Sequence, residues 1–348
     1  MAFVDLTLAQ TKMRRIREKG ELIPVQFGFR SWNDYDSGKW IMGSKKCTLL
    51  IGGEPNHGKS YVTNELVMQL IEKHGFKVAL FSTESGDVEK IFTHFCGLYI
   101  GKPYSKLRPD GKPNPYAMSD EEAVIAEHFL SDKLFVFRQD RKNNSYQSLE
   151  NIYKELKKTE DLYHFKFDSL VIDPVYDVDD FEPKASEVLK VLNRFNLEAE
   201  ENNRFDIMVN HVAETSKITD KNGNRKKLIA LADEFYGGKN NQRKAMLMAL
   251  VHRPLPNLNP ETPEEYVAEN QTDIYILKVK PEGIAKFGKY SIFYDWKSRR
   301  YYENYNGSYD FAECTRFRYE LPQEKALPTI DTSDAFGEED FEQTQLPF

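Results

Sequence analysis

The sequence predicts an α/β fold in which a mostly parallel central sheet is flanked by helices. Two observations indicate this class: strand-like runs alternate with helical patterns from Leu49 onward, and the runs are almost continuously apolar, as in strands covered on both faces. The predicted strands are Cys47–Ile51, Lys77–Phe81, Lys133–Phe137, Ser169–Ile172, Asp206–Asn210, Ala245–Val251, Asp273–Lys280 and Tyr290–Trp296. A glycine-containing turn between the last two runs predicts a C-terminal antiparallel hairpin at the sheet edge.

Two stretches are predicted to be helices that pack on this sheet. Tyr61–His74 follows the first strand, and Lys184–Asn202 repeats its apolar side chains near a 3.6-residue period. Gly101–Tyr116 is rich in proline, glycine and lysine, which predicts an exposed loop. We assign these elements to one large domain that spans residues 22–321.

The composition excludes several classes of protein. The chain has 348 residues, 40% of them hydrophobic and arranged in periodic blocks, so it can bury a sizeable core and is not disordered as a whole. No apolar run approaches the length of a membrane-spanning helix, and the N-terminus has no signal-peptide layout. Cys47, Cys96 and Cys314 have unrelated spacings, which argues against a disulfide framework or a zinc site. We therefore expect a cytoplasmic protein without a membrane partner.

The two ends of the chain differ in charge. Residues 1–21 form a basic N-terminal arm with a helical pattern, and this arm is either solvated or docks on a neighbouring subunit. Residues 322–348 lose all periodicity, and the six acidic residues that follow Lys325 have no basic residue to oppose them. This composition predicts a disordered acidic tail.

One segment has the pattern of a phosphate-binding loop, G-x-x-x-x-G-K-S, between a predicted strand and a predicted helix. It consists of Gly53, Glu54, Pro55, Asn56, His57, Gly58, Lys59 and Ser60. The glycines let successive backbone N–H groups surround the phosphate oxygens, and the N-terminus of the helix favours an anion. Lys59 can reach the terminal phosphates, and the Ser60 hydroxyl can bind Mg²⁺. The sequence therefore predicts a site for a nucleoside triphosphate, with ATP and Mg²⁺ as the expected ligands.

Three polar residues at strand ends are candidates for the chemistry of hydrolysis. Asp173 ends an apolar strand, which is the position of an aspartate that helps to hold Mg²⁺. Alternatively, Asp173 only caps the end of this strand. Glu84 follows the second strand and could orient the attacking water, or could instead be a charge at a helix N-terminus. His211 ends another strand, where it either detects the terminal phosphate or is structural.

These residues lie in a characteristic order along the chain. The quoted segments are GGEPNHGKS, FSTES, SLVIDP, VNHVAE, FYGGKNNQRKA and ILKVKPEGIAKFGKYSIFYDWKSRRYYE. The order resembles the RecA-type motor domain of DnaB-type hexameric replicative helicases, in particular the phage and Twinkle-like branch, over roughly residues 22–305. The resemblance implies a RecA-like ATPase domain, a hexameric ring with ATP sites between neighbours, and movement along single-stranded DNA in a bacterial or phage-infected cytoplasm.

The resemblance also assigns roles to individual residues. Lys59 and Ser60 take the phosphate-loop roles, Glu84 that of the catalytic glutamate, Asp173 that of the Mg²⁺-linked aspartate, and His211 that of the phosphate sensor. Lys280 falls where the family has the arginine of a Lys-x-Arg pair that reaches a neighbour's phosphates. An ammonium group cannot make the two-pronged contact of a guanidinium. Lys280 therefore serves as this finger, or Arg299 or Arg300 replaces it, or turnover is slow.

A basic segment, Ala213–Lys244, corresponds to the family's DNA-facing loops. Its basic residues are Lys217, Lys221, Arg225, Lys226 and Lys227, with Lys239, Arg243 and Lys244 further along. Six copies directed into a pore would make a positive channel although the chain has a net charge of -7, and such a channel would contact phosphates without reading sequence. The alternative is an ordinary solvated loop.

Both ends of the chain bear on the partners that we expect. About 20 residues precede the motor domain, so we expect neither the primase domain nor the helical collar that is usual in the family. The acidic tail resembles the tip of bacterial single-stranded-DNA-binding proteins, which predicts contacts with a primase, a loader or other replisome proteins. Alternatively, the tail solubilises the chain or mimics DNA.

Three functions stay open from the sequence. The first is an ATP-dependent replicative DNA helicase. The second is a RecA-like ATPase that does not unwind DNA, either a recombinase-like filament or a helicase loader, because rings and filaments share one motor core. The third is a nucleotide-binding assembly protein without enzymatic activity.

The basic segment generates a direct test. Reversal of charge at Lys226 and Lys227 should weaken binding to single-stranded DNA and flatten its dependence on salt, because fewer counterions are released from the phosphates. Fluorescence anisotropy of a labelled oligonucleotide over a salt series measures both quantities. An unchanged salt slope would mean that DNA binds elsewhere.

Overall fold

A computed structural model describes residues 6–36, 38–137, 148–178, 185–212, 217–219, 225–258, 266–280, 282–316 and 318. The acidic tail at 322–348, the first five residues of the basic arm and Lys221 lie outside these ranges. Most of the arm is an α-helix, as its pattern predicted. No helix among the described residues is both long enough and apolar enough to cross a membrane.

The chain alternates helices and strands through its first two thirds and then forms a run of strands. The helices are α1 Leu6–Lys19, α2 Lys59–His74, α3 Val88–Ile100, α4 Asp120–Leu130, α5 Leu149–Tyr163, α6 Ala185–Glu201 and α7 Lys239–Lys244. The strands are β1 Pro24–Gln26, β2 Asn33–Asp34, β3 Lys39–Trp40, β4 Met42–Ser44, β5 Cys47–Gly53, β6 Val78–Ser82, β7 Leu134–Val136, β8 Ser169–Asp173, β9 Phe205–His211, β10 Lys217–Thr219, β11 Arg225–Lys227, β12 Leu247–His252, β13 Gln271–Val279, β14 Gly288–Tyr294, β15 Tyr301–Tyr305 and β16 Ser308–Phe311.

One sheet of ten strands organises the domain. Its order is β16-β15-β14-β13-β12-β5-β9-β8-β6-β7. The six strands from β12 to β7 are parallel to one another, whereas β13 to β16 extend the sheet beyond β12 with antiparallel pairs. The predicted fold class and its C-terminal hairpin, β13 with β14, are therefore confirmed. The hairpin is longer than predicted, because β15 and β16 continue it.

Apolar side chains on the two faces of the sheet form two core clusters. In β5, Leu49 and Ile51 join the cluster that contains buried residues of α2, α3 and α4, whereas Leu50 joins the cluster that contains residues of α5 and α6. All seven residues of β5 are buried. Burial on both faces explains why the central strands have almost no polar residue until their carboxyl ends.

A buried ion network ties the antiparallel extension to helix α2. The Arg300 guanidinium is fully buried, and it lies 2.7 Å from the Glu65 carboxylate and 3.1 Å from that of Glu72, both on α2. It also donates to the carbonyl of Leu98 at 3.3 Å. The possibility that Arg300 reaches a neighbouring subunit is therefore wrong, because its charge is enclosed and neutralised within its own chain.

The network predicts a large loss of stability when its cation is removed. Arg300→Ala should lower the free energy of unfolding by about 3–5 kcal/mol, because it leaves the buried Glu65 without its cation and Glu72 with Arg318 alone. Lys297→Ala, an exposed position three residues earlier, is the control and should change it by less than about 0.5 kcal/mol. Denaturant unfolding measures both variants, and equal stabilities would contradict this account of the network.

Candidate active site

The carboxyl ends of four parallel strands meet at one edge of the sheet. The register places Gly53 of β5 opposite His211 of β9, and Ser82 of β6 opposite Asp173 of β8. Glu84 follows β6 by two residues. The structure thus brings together the residues that the sequence analysis took from four distant segments.

The turn between β5 and α2 has the backbone of a phosphate cradle. Asn56 and Gly58 adopt left-handed conformations, with φ of 63° and 84°, and Gly58 caps the N-terminus of α2. A side chain at Gly53 would lie 2.6 Å from the Val251 carbonyl oxygen and 2.9 Å from Cγ of Lys59, so only glycine fits there. The first N–H groups of a 16-residue helix therefore face this turn and can bind an anion.

Lys59 is folded back onto the loop. Its ammonium group is buried and donates to the carbonyl of Glu54 at 3.0 Å. Burial lowers its pKa below the usual value, while the carboxylates of Glu84, Asp173 and Glu54 oppose that shift. The acidic groups of the site and a loop carbonyl thus stabilise the charged form of Lys59. Phosphate oxygens would bind this ammonium group more strongly than the carbonyl does.

Asp173 and Ser60 form a pair of oxygen donors. Asp173 is 3% exposed, and burial raises its pKa to about 6, although a hydrogen bond from Ser60 lowers it in part. Its Oδ1 atom has no hydrogen-bond partner among the described residues. A buried, unsatisfied carboxylate oxygen beside a hydroxyl fits a hard cation with oxygen ligands, as Mg²⁺ is. Ser60 and Asp173 are therefore the residues that would hold Mg²⁺.

Glu84 and His211 face one another across the site. Nε2 of His211 lies 3.4 Å from Oε1 of Glu84. Burial and the charge of Lys59 lower the pKa of His211, which keeps the imidazole largely neutral at pH 7. Helix α3 begins only at Val88, after Asp87 at its N-cap, so Glu84 does not lie in the first turn of a helix. This position disfavours the alternative role of Glu84 as a helix charge.

The side chains of His57 and Glu54 anchor the loop rather than line it. The backbone N–H of Arg253, just after β12, donates to Nδ1 of His57 at 3.2 Å, and Nε2 of His57 lies 3.7 Å from the Glu54 carboxylate. Both side chains are buried, and His57 also packs edge-on against His252. Sequence reasoning assigned His57 and Glu54 to nucleotide binding by motif alone. It missed Arg253, because nothing in the local pattern relates positions 196 residues apart.

A cleft of about 300 Å³ opens beside Ser60 and Glu84. Its other lining residues are Tyr61, Asn64, Ser85, Lys90, Ile91 and His94. Tyr61 and His94 meet edge to face, with ring centroids 5.7 Å apart, and burial lowers the pKa of His94 to about 4. Sequence reasoning missed this wall, because α3 was not predicted as a helix.

Lys280 lies apart from this site, and part of the basic segment forms a hairpin. β13 runs antiparallel to β12 and pairs Val279 with Leu247, so the exposed Lys280 lies at the opposite edge of the sheet from Gly53. The basic segment contains the hairpin β10–β11, whose register pairs Lys217 with Lys227. That hairpin also pairs Lys226 with Ile218 and Arg225 with Thr219, and it was not predicted.

Comparison with solved structures finds this fold in an ATPase domain and in a replicative helicase. One structure, described as an ATPase domain, is similar with a TM-score of 0.60 and 13% identity, over 86% of this chain and 99% of that chain. A DnaB-like replicative helicase, described with its interactions with primase, is similar with a TM-score of 0.61 and 15% identity, over 86% of this chain and 68% of that chain. No protein-family model matches the sequence, and no curated protein matches it. At these identities the likeness confirms the RecA-like fold of DnaB-type ATPase domains.

The buried charge of Asp173 predicts a stability that depends on pH. A pKa raised to about 6 means that the folded chain favours the protonated carboxyl, so stability falls as the pH rises from 3.8 through 6. Asp173→Asn should therefore stabilise the chain in EDTA by about 2–3 kcal/mol at pH 8 and by less at pH 5. Thermal unfolding at both pH values measures this gain. A destabilised variant at pH 8 would contradict the account.

Proposed function

We propose that this chain is the motor domain of an ATP-dependent DNA helicase of replication. One observation carries the proposal: Lys59, Ser60, Asp173, Glu84 and His211 converge on a single phosphate-binding turn at the carboxyl edge of a RecA-like sheet. A structural turn would not need an unsatisfied carboxylate, an inward-folded lysine and a neutral histidine together. In ATP hydrolysis the lysine would bind the phosphates, the carboxylate would hold Mg²⁺ and the histidine would contact the terminal phosphate.

Each residue has a distinct task in this proposal. The amides of the turn and Lys59 bind the phosphates, and Glu84, which is 43% exposed, takes a proton from the attacking water. His211 lies beside Glu84 and is positioned to hydrogen-bond a terminal phosphate in its neutral form. Mg²⁺ held by Ser60 and Asp173 would neutralise charge on the phosphate oxygens. The adjacent cleft, with Tyr61 and His94 on its wall, offers room for a further part of the nucleotide.

The proposal includes a homo-oligomer, with a hexameric ring as the expected form. Lys280 lies at the opposite edge of the sheet from its own turn, so it can assist hydrolysis only in a neighbouring copy. The basic hairpin β10–β11 would contact single-stranded DNA. The DnaB-like helicase with similar fold is described with its interactions with primase, which supports a primase among the proposed replisome partners.

Two substitutions in the site separate binding from cleavage. Lys59→Ala should abolish nucleotide binding or turnover, because it removes the cation of the cradle. Glu84→Gln should keep ATP bound while cleavage falls by about 100-fold or more, because it removes only the base. ATPase rates with and without single-stranded DNA, together with nucleotide affinity, measure both effects.

Unwinding is measured separately on a forked duplex. Hydrolysis stimulated by DNA without unwinding would favour the second function, a RecA-like ATPase that acts as a filament or loader. Wild-type turnover in Lys59→Ala would remove the assignment of the turn, and normal cleavage in Glu84→Gln would mean that another carboxylate is the base.

A further inference from the structure

The segment that contains the basic hairpin leaves and rejoins the sheet beside the candidate active site. The chain leaves the sheet after His211 and Val212, and it returns at Phe235 and Tyr236. Val212 and Phe235 form an antiparallel bridge, and the Tyr236 N–H donates to the His211 carbonyl at 3.0 Å. The Val212 N–H in turn donates to the carbonyl of Gly53 at 3.3 Å. Both strands of this stem are thus bonded to the phosphate-sensing histidine or to the turn itself.

Two buried asparagines fix the returning strand of the stem. The side-chain amide of Asn210 donates to the Tyr236 carbonyl at 2.9 Å, and that of Asn241 donates to the same oxygen at 2.7 Å. Both asparagines are fully buried. The backbone that follows Phe235 is therefore held to both β9 and α7.

The Phe235 ring fills a space that a glycine leaves in the central strand. The ring is 2% exposed, and a Cβ added at Gly52 would overlap three of its atoms. Gly52 lies inside β5, paired with Asn210 and Leu250, where the strand backbone accepts any residue. A glycine within a strand weakens it. The three atoms nearest to such a Cβ all belong to this ring, so the ring explains the glycine at this position.

We propose that Phe235 is a positioning residue that couples the phosphate-binding turn to the basic hairpin. Gly52 immediately precedes Gly53, so a shift of the turn moves the strand backbone on which the ring rests. Because interiors are close-packed and barely compressible, the ring must move with it and carry the stem of the basic segment. This inference rests on the proposed function, since it assumes that the turn binds nucleotide and the hairpin binds DNA.

The fit between ring and glycine allows a reciprocal test. Phe235→Ala removes the ring, Gly52→Ala displaces it, and the double variant combines both changes. Each single variant should keep its affinity for ATP within about 3-fold but lose about 10-fold of its stimulation by single-stranded DNA. The double variant should be no worse than Phe235→Ala, because the added methyl no longer meets a ring. Phe195→Ala, another fully buried phenylalanine on the same face of the sheet, is the control for mere loss of packing and should keep the stimulation.

Hydrogen exchange provides a second measurement that needs no DNA. A non-hydrolysable ATP analogue should change the protection of the amides of residues 228–234 in the wild-type chain and leave them unchanged in Phe235→Ala. Should Phe235→Ala fail to fold, Phe235→Leu takes its place in both measurements.

The outcomes separate this inference from the proposed function. Absence of DNA-stimulated hydrolysis in the wild-type chain refutes the proposed function whatever the variants do, and the exchange measurement then decides the role of Phe235. Stimulation that survives in Phe235→Ala, or an equal response of residues 228–234 in both chains, overturns the coupling. Loss of stimulation in Phe195→Ala to the same degree would show a general loss of packing and would also overturn it.

Discussion

The hydrogen bonds that hold β5 between two parallel neighbours are the constraint on which the rest of the structure depends. β9 pairs with all seven residues of β5, and β12 pairs with the segment from Leu49 to Gly52. These two sets of backbone hydrogen bonds fix the position of Gly53 at the end of β5, and therefore the position at which α2 begins. They also place His211 beside the turn and Arg253 above it, where its N–H bonds His57. A shift of either strand by one residue would turn its side chains to the other face and dismantle the site.

The buried carboxylates on and around helix α2 are of two kinds, compensated and uncompensated. Glu65 is paired with Arg300, and Glu72 with both Arg300 and Arg318, so the carboxylates on the side of α2 that faces the antiparallel extension are compensated. Asp173, at the amino end of the same helix, finds favourable neighbours in the Ser60 hydroxyl and Lys59, yet burial outweighs them and its pKa is raised. A fully compensated charge stabilises a fold, whereas an uncompensated one costs stability and is retained where a ligand supplies the compensation. The compensated carboxylates of α2 therefore stabilise the fold, whereas the uncompensated Asp173 at the amino end of the helix is suited to a ligand.

Local sequence patterns were sufficient for the elements that bury a continuous apolar run. The central strands, α2, α6 and the glycine-containing turn between β5 and α2 were predicted because their signals lie within a few residues of one another. Two missed elements had signals of another kind: Ser119 and Glu122 form a capping box at the start of α4, and the Asn306–Gly307 turn joins β15 to β16. The roles of Arg300 and Phe235 depend on partners more than 180 residues away, and periodicity carries no information at that separation.

The topology also bears on how neighbouring copies of the chain would share the chemistry. A strand antiparallel to β12 carries its carboxyl end away from the turn, so Lys280, directly after β13, cannot reach the site of its own chain. If Lys280 contributes to hydrolysis, one copy must therefore offer the edge that holds Gly53 while the next offers the opposite edge. Such a head-to-tail contact uses two different surfaces, and it closes into a ring or extends into a filament according to the rotation between copies. Under the proposed function, the fold of one copy would thus set the direction of the assembly, and the geometry of the interface would decide between a ring and a filament.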